Sequence, residues 1–396
     1  MERSFVLNAK TNIWKLYAIR FFYNLIPAYV IERLFWEQRG MTIQMVVYTE
    51  IIFAITVVFL EVPTGIIADK WGRKKMIVWS AVLECCMFLI LLFATEFWHF
   101  AAAIFLAGIA RSASSGSENA LLYDSLLENG MEEDFEKYLG RLNVCDFTAA
   151  ILAALFGSFL ANRFGFEFNY WLSIVSMFTA VSLSFMLVEP AFHNRIDESI
   201  KIKEYLKTSV RVFKMNSDVS LVVLSGMVLG AALSFIDEFW QLYLNRLEIP
   251  VFYFGLFSAV IMILRLPGNL IAHAIKSRFR YRTILSGVTA VFAGGYIYVS
   301  VTQDFSGLAA IFLICLFSGI LEPITAGYLH HRIDSSMRAT IDSFQSLGLN
   351  AVLVISGLGF GYFSSIFDVF GGFGFVGFMC SIFFVYFMIA SKRVIE

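Results

Sequence analysis

The chain has 396 residues, of which 59% are hydrophobic and only 15% charged, with a mean hydropathy of +0.73. A soluble globular domain carries about 25% charged residues, so this composition excludes a water-soluble enzyme and points to a polypeptide that crosses a bilayer several times. The net charge of −1 offers no electrostatic basis for a nucleic-acid partner.

A spanning helix needs about 20 mostly apolar residues, and the sequence predicts twelve of them, at roughly 13–36, 43–68, 76–94, 98–126, 142–161, 168–188, 219–243, 252–275, 283–302, 306–330, 342–366 and 370–390. An even number puts both termini on one side. Of the 30 Lys and Arg, only Arg39, Arg163 and Arg246 fall in the loops assigned outside, which places both termini in the cytoplasm. The polar start of the chain lacks the compact signal-peptide pattern with a small-residue cleavage site, so the first helix is expected to be retained. The interval Glu189 to Asp218 interleaves Lys201, Lys203, Lys207, Arg211 and Lys214 with Ile202, Tyr205, Leu206, Val210 and Phe213, a spacing that suits an amphipathic helix at the cytoplasmic interface. It divides the chain into an N-terminal six-helix bundle (1–188), a linker (189–218) and a C-terminal six-helix bundle (219–396). The halves repeat weakly. Pro267 follows Pro63 by 204 residues, and the same offset pairs Trp36 with Trp240 and Phe53 with Phe257.

The second and third spans are joined by Glu61-Val-Pro-Thr-Gly-Ile-Ile-Ala-Asp-Lys-Trp-Gly-Arg-Lys-Lys75. Gly65 and Asp69 share a helix face, Gly65 lets another helix approach closely, and Gly72 permits a tight turn. Lys70, Arg73, Lys74 and Lys75 hold the loop on the cytoplasmic side. This stretch resembles the signature loop of the major facilitator superfamily, G-x-x-x-D-(R/K)-x-G-(R/K)-(R/K)-(R/K), at every defined position. The segments from Ser115 to Leu126 and from Tyr328 to Ile333 look like a bacterial branch of it, largely of efflux-type or uncharacterised members. The resemblance implies an all-α polytopic fold of twelve helices in two six-helix bundles, a monomer in a bacterial plasma membrane, and alternating access, with Asp69 and Arg73 helping to lock one conformation. In the second half His273 stands where Asp69 stands, and the fifth span offers Gly157 without the Gly/Pro-rich motif of drug-exporting antiporters.

Charges in the hydrocarbon cost about 2.5–3.5 kcal/mol each on insertion scales and need a partner, a wet cavity or a proton. Arg111 and Glu118 are seven apart and read as one polar face of the fourth helix, either lining the central cavity or forming a static pair. The resemblance implies that helices one, four, seven and ten surround that cavity. Glu32, Arg111, Glu118, Asp237 and Glu322 all fall on them and are the candidates for cavity lining and proton coupling. Asp124, read as lying close to the signature loop and beside Arg141, is assigned a structural role, pairing with cytoplasmic basic groups, and Glu61 and Arg265 are assigned structural roles too. His330 and His331 read as solvated groups at a helix end.

Cys85, Cys86, Cys145, Cys315 and Cys380 are odd in number, lie in apolar runs and have no metal-ligand spacing. No phosphate-binding G-x-x-x-x-G-K-(S/T) occurs, so ATP-driven transport within this chain is not expected. The reading is of a secondary transporter rather than an enzyme, without cofactor or metal, whose partners are a small-molecule substrate, protons and lipid. Proton-coupled efflux of amphipathic, drug-like or secondary-metabolite molecules leads. Proton-coupled import of a polar nutrient is the alternative, and a lipid flippase or a non-transporting receptor comes third. The topology is testable with fusions at Glu396. A fluorescent protein there is expected to fluoresce and an alkaline phosphatase there to stay inactive, and the opposite pattern would overturn the orientation.

Overall fold

A computed structural model describes residues 2–190, 217–332 and 335–392. Among these the chain is entirely helical, without a strand, and nine helical stretches are long and apolar enough to cross a membrane. A helix satisfies its backbone polar groups within its own segment, which a lipid environment demands. The linker expected over 189–218 lies outside the described residues from 191 to 216, as do the side chains of Asp69, His273, His330 and His331.

The helices are α1 (Glu2–Asn24), α2 (Glu32–Gln38), α3 (Ile43–Trp71), α4 (Arg73–Phe93), α5 (Phe97–Ser114), α6 (Ser117–Leu127), α7 (Phe135–Phe164), α8 (Phe166–Phe185), α9 (Ser217–Arg246), α10 (Phe254–Arg278), α11 (Tyr281–Thr302), α12 (Ser306–Arg332) and α13 (Ser335–Ser391). Two of the expected spans are broken. The first stops at Asn24, because Pro27 carries no N–H and disfavours a helical Ile26, which sits at φ −117°, ψ 90°. A 3₁₀ turn over Pro27–Val30 leads into α2. The backbone freed there is satisfied from α8. The Asn169 amide donates to the Pro27 carbonyl at 2.9 Å, and the Ala28 N–H donates to Ser173 Oγ at 3.0 Å. The fourth span breaks between α5 and α6 in the run Ser114-Ser115-Gly116-Ser117, where Gly116 takes φ +76°, a conformation that costs a residue with a Cβ about 1–2 kcal/mol. Arg111 and Glu118 therefore stand on two helices and not on one continuous face. The eleventh and twelfth spans both lie in α13, which is non-helical at Phe367 and Asp368.

Two compact units emerge. The first holds α1, α2, α4 to α8, the part of α3 from Ile52 and the segment Pro250–Ser258. In it α4 packs on α5 and α8, and α1 packs on α6, α7 and α8. Ile13, Leu16 and Ile19 of α1 form a buried apolar cluster with Ile77, Leu121, Leu122, Leu126, Leu142 and Leu187. The second unit holds α9, α11, α12, α13, the rest of α10 and the segment Thr42–Ile51. Its centre is aromatic. Phe360 stacks on Phe235 and Phe239 at 4.7 and 4.6 Å and meets Phe373 edge-on. These four rings pack α9 against α13. Exposed Asp304 accepts from the hydroxyl and the amide of Ser306 at the start of α12, and these bonds hold its carboxyl below the usual range.

The α3–α4 turn is one residue long. Gly72 (φ +103°) closes it, and a Cβ there would lie 2.8 Å from the Glu189 carboxyl. That carboxylate accepts the first two N–H groups of α4, from Arg73 at 2.7 Å and Lys74 at 2.8 Å, so it caps a helix from more than a hundred residues away. Val188 beside it is held by Asn12, whose amide donates to the Val188 carbonyl at 2.8 Å and accepts its N–H at 2.9 Å. The Arg73 guanidinium donates to Asp124 of α6 and to the Ala120 carbonyl. The partner of Asp124 is therefore Arg73, not Arg141, whose guanidinium lies over the Tyr138 ring at 5.4 Å. Gly65 does not mark a close helix approach, since no described atom lies within 4 Å of where a Cβ would stand. Lys70 and Lys75 are exposed and Lys74 half-buried.

Removing a helix cap costs about 0.5–2 kcal/mol. Glu189→Ala is expected to lower the stability of the purified protein by about 1–2 kcal/mol in thermal unfolding, with Glu189→Gln in between. An unchanged transition in both variants would show that the cap contributes nothing.

Candidate functional site

The charged cluster of the first unit begins with α1. Arg20, Tyr23 and Asn24 are spaced i, i+3, i+4 and share one face. On α7, Leu139, Asn143 and Asp146 repeat at helical spacing, and α5 and α6 contribute Arg111, Ser114, Ser115, Glu118 and Asn119 around their break. These side chains line a polar cavity of about 560 Å³.

Arg20 is the hub. Its Nε donates to Asp146 Oδ1 at 2.9 Å, its Nη2 to Asp146 Oδ2, and its Nη1 to Glu118 Oε2 at 2.9 Å. Asn24 Nδ2 donates to Asp146 Oδ1 at 3.0 Å and to the Arg20 carbonyl at 2.9 Å, fixing the aspartate from a second direction. The Asp146 pair is the two-pronged geometry in which a guanidinium matches a carboxylate best. All three charged side chains are mostly buried, so desolvation raises the cost of leaving any one unpaired. Glu84 of α4 is buried too, with the Tyr23 hydroxyl as its hydrogen-bond partner. One cation thus serves two acids, and a second cation, Arg111, lines the same space.

The other candidates stand elsewhere. Glu32, on α2, lies 3.7 Å from Arg33, whose guanidinium covers the Trp36 ring at 4.5 Å, while Trp36 Nε1 donates to the Tyr170 hydroxyl at 3.1 Å. In the second unit Arg265 of α10 holds Asp237 of α9 through two bonds, so a residue assigned to structure and one assigned to coupling form a single pair. The Glu322 side chain of α12 is exposed and the Glu61 side chain of α3 half-buried, and neither takes part in a hydrogen bond or ion pair among the described residues. The sequence reading of the cavity included Glu118 and Arg111 but did not select Arg20 and Asp146. Both carry a legible signal, a charge inside an apolar run. Their pairing does not, because it joins positions 126 residues apart. Among the described residues no group of acidic, histidine and cysteine side chains has the arrangement of a metal site.

Comparisons with known proteins agree with this architecture. The family model described as Major Facilitator Superfamily matches residues 17–343. A Na(+), Li(+), K(+)/H(+) antiporter of Planococcus maritimus is 28% identical over 130 residues, which are 32% of this chain and 30% of that protein. The chain thus matches less than a third of that relative's length. Among solved structures, the nucleoside transporter NupG superposes with a TM-score of 0.77 at 14% identity, covering 98% of this chain and 99% of that one. A D-xylose-proton symporter does so with a TM-score of 0.71 at 11% identity, covering 96% of each. At these identities the likeness is one of fold.

Arg20 generates a stability prediction. Arg20→Ala strands two acids and is expected to cost about 3–5 kcal/mol at neutral pH, read by thermal unfolding in detergent, with much of the loss recovered in Arg20→Ala/Asp146→Asn. Equal losses in the single and double variants would mean that the bridge is not what holds these helices.

Proposed function

The chain belongs to the Major Facilitator Superfamily, and we propose that it is a proton-coupled secondary transporter that moves a small polar solute by alternating access. The observation that carries this reading is the polar cavity walled by Arg20, Glu118 and Asp146. Two carboxylates that share one guanidinium hold a proton readily once that guanidinium is drawn away, so solute that competes for Arg20 changes the proton occupancy of Glu118 and Asp146. Proton release or uptake is then tied to solute binding through one side chain. The lining of amides, hydroxyls and charges suits a hydrogen-bonding solute better than an amphipathic one. That nucleoside and xylose transporters share the fold is consistent with it.

In this proposal the chain has twelve spans in two six-helix halves (1–188 and 219–396), joined by the cytoplasmic segment 189–218. Both termini lie in the cytoplasm of a bacterial plasma membrane, and the protein works as a monomer. The Arg73–Asp124 pair and the Glu189 cap hold the signature loop, and Asp237–Arg265 joins α9 to α10 in the second half. A second reading, efflux of amphipathic molecules in exchange for protons, is favoured by one feature. Phe363, Phe367, Phe375 and Phe378 line an apolar hollow of about 540 Å³ in the second unit. The partial match to a cation/proton antiporter is also compatible with exchange.

The test uses the full chain in proteoliposomes with a pH-sensitive dye inside and a panel of nucleosides, sugars, small acids and lipophilic cations outside. Solute-dependent acidification of the lumen is expected and marks symport, while alkalinisation marks antiport. Glu118→Gln is expected to slow the proton movement about tenfold or more while solute exchange across equal concentrations persists. Solute flux indifferent to a protonophore would overturn proton coupling.

A further inference from the structure

The four charges around the first unit's cavity are not equivalent. Arg20 commits Nε, Nη1 and Nη2 to Asp146 and Glu118, and Asp146 also accepts from Asn24. Arg111 lines the same cavity from the last turn of α5, and its side chain is exposed. Its guanidinium takes part in no hydrogen bond or ion pair with any described residue. A guanidinium offers five donors in a planar fork that matches a carboxylate or a phosphate with two parallel bonds. Glu84 and Glu118 act on Arg111 through space only, so its donors are left for water or a ligand to complete. Ser115 and Asn119 flank Arg111 in the lining and offer further donors to an anionic head, while the Ser114 hydroxyl donates to the Arg111 carbonyl at 3.2 Å.

We propose, building on the transporter reading above, that the solute carries a carboxylate or phosphate group and that Arg111 is its anchor. The charge arithmetic of the cavity extends this to coupling. Among the lining residues Arg20 and Arg111 balance Glu118 and Asp146, and Glu84 behind them adds a third carboxyl, so the cavity has no cation to spare. An anion on Arg111 adds a negative charge that one proton on Glu84, Glu118 or Asp146 offsets. The groups that face this pair are Arg20, Tyr23 and Asn24 on α1, Glu84 on α4 and Arg111 on α5. None of them adds a further cation that could take the proton's place. The anion and one proton therefore occupy the cavity together, and an acid-bearing solute travels in symport. The cavity of about 560 Å³ holds a metabolite-sized molecule.

The test is footprinting of the full-length protein in detergent with phenylglyoxal, an arginine-directed reagent, with modification of Arg111 read by mass spectrometry. Inorganic phosphate is offered as one probe, and acid–neutral pairs as others: benzoate with benzamide, succinate with succinamide, glycerol phosphate with glycerol. Arg111 is expected to react faster than Arg20. At least one acid is expected to slow its modification about tenfold, its neutral partner is not, and the protection is expected to fade as pH rises and the co-bound proton is lost. Arg111→Lys is expected to keep acid-dependent proton flux in proteoliposomes at reduced apparent affinity, and Arg111→Gln to lose it. Failure of every acid to protect, equal protection by the neutral partners, or an Arg111 that does not react would overturn the anchor. Proton-coupled flux of a neutral solute would then leave the transporter reading standing, so the two failures are distinguishable.

Discussion

The first unit depends on one guanidinium. Arg20 reaches from α1 to Glu118 on α6 and Asp146 on α7, so three helices meet through a single side chain in a medium that penalises every unpaired charge. Without Arg20, two acids would face each other across a cavity, and without the acids an arginine would stand in an apolar span. The arrangement is held from outside as well, since Asn24 fixes Asp146 and the apolar cluster around Leu16, Leu121 and Leu142 packs the same helices together nearby. A neutral alternative would pack these helices with less risk of unpaired charge. The charged version keeps a polar wall between α1, α6 and α7, which a packing role does not require.

The breaks in the helices belong to the same design. A continuous fourth span would carry Arg111 and Glu118 on one face, two turns apart. The turn at Ser115–Gly116 redirects the chain, Glu118 takes Arg20, and Arg111 is left for the cavity. The break at Pro27 is tolerated because α8 supplies Asn169 and Ser173 to the exposed backbone groups. Glu189 works on the same principle at the surface. The start of α4 has orphan N–H groups, and a carboxylate brought in from beyond α8 satisfies two of them, packed so close to Gly72 that a side chain there would collide with it. The signature loop is thereby tied to the segment that follows α8.

What the amino-acid sequence by itself determined is everything that depends on local composition and spacing. An apolar run of sufficient length is a helix in a membrane, so the all-helical class was legible from hydropathy, and nine helical stretches among the described residues are long and apolar enough to span. The signature from Gly65 to Lys75 is contiguous, so the family was legible from it alone. Charges inside apolar runs announced a polar interior, and Glu118 and Arg111 were singled out on that ground. The choice of partners was decided only by tertiary structure. Arg20 with Asp146, Arg73 with Asp124, Arg265 with Asp237 and Glu189 with the start of α4 each join helices far apart in the chain. A guanidinium pairs with whichever carboxylate the packing brings within about 3 Å, and helical periodicity reports the face a residue occupies, not the face it meets.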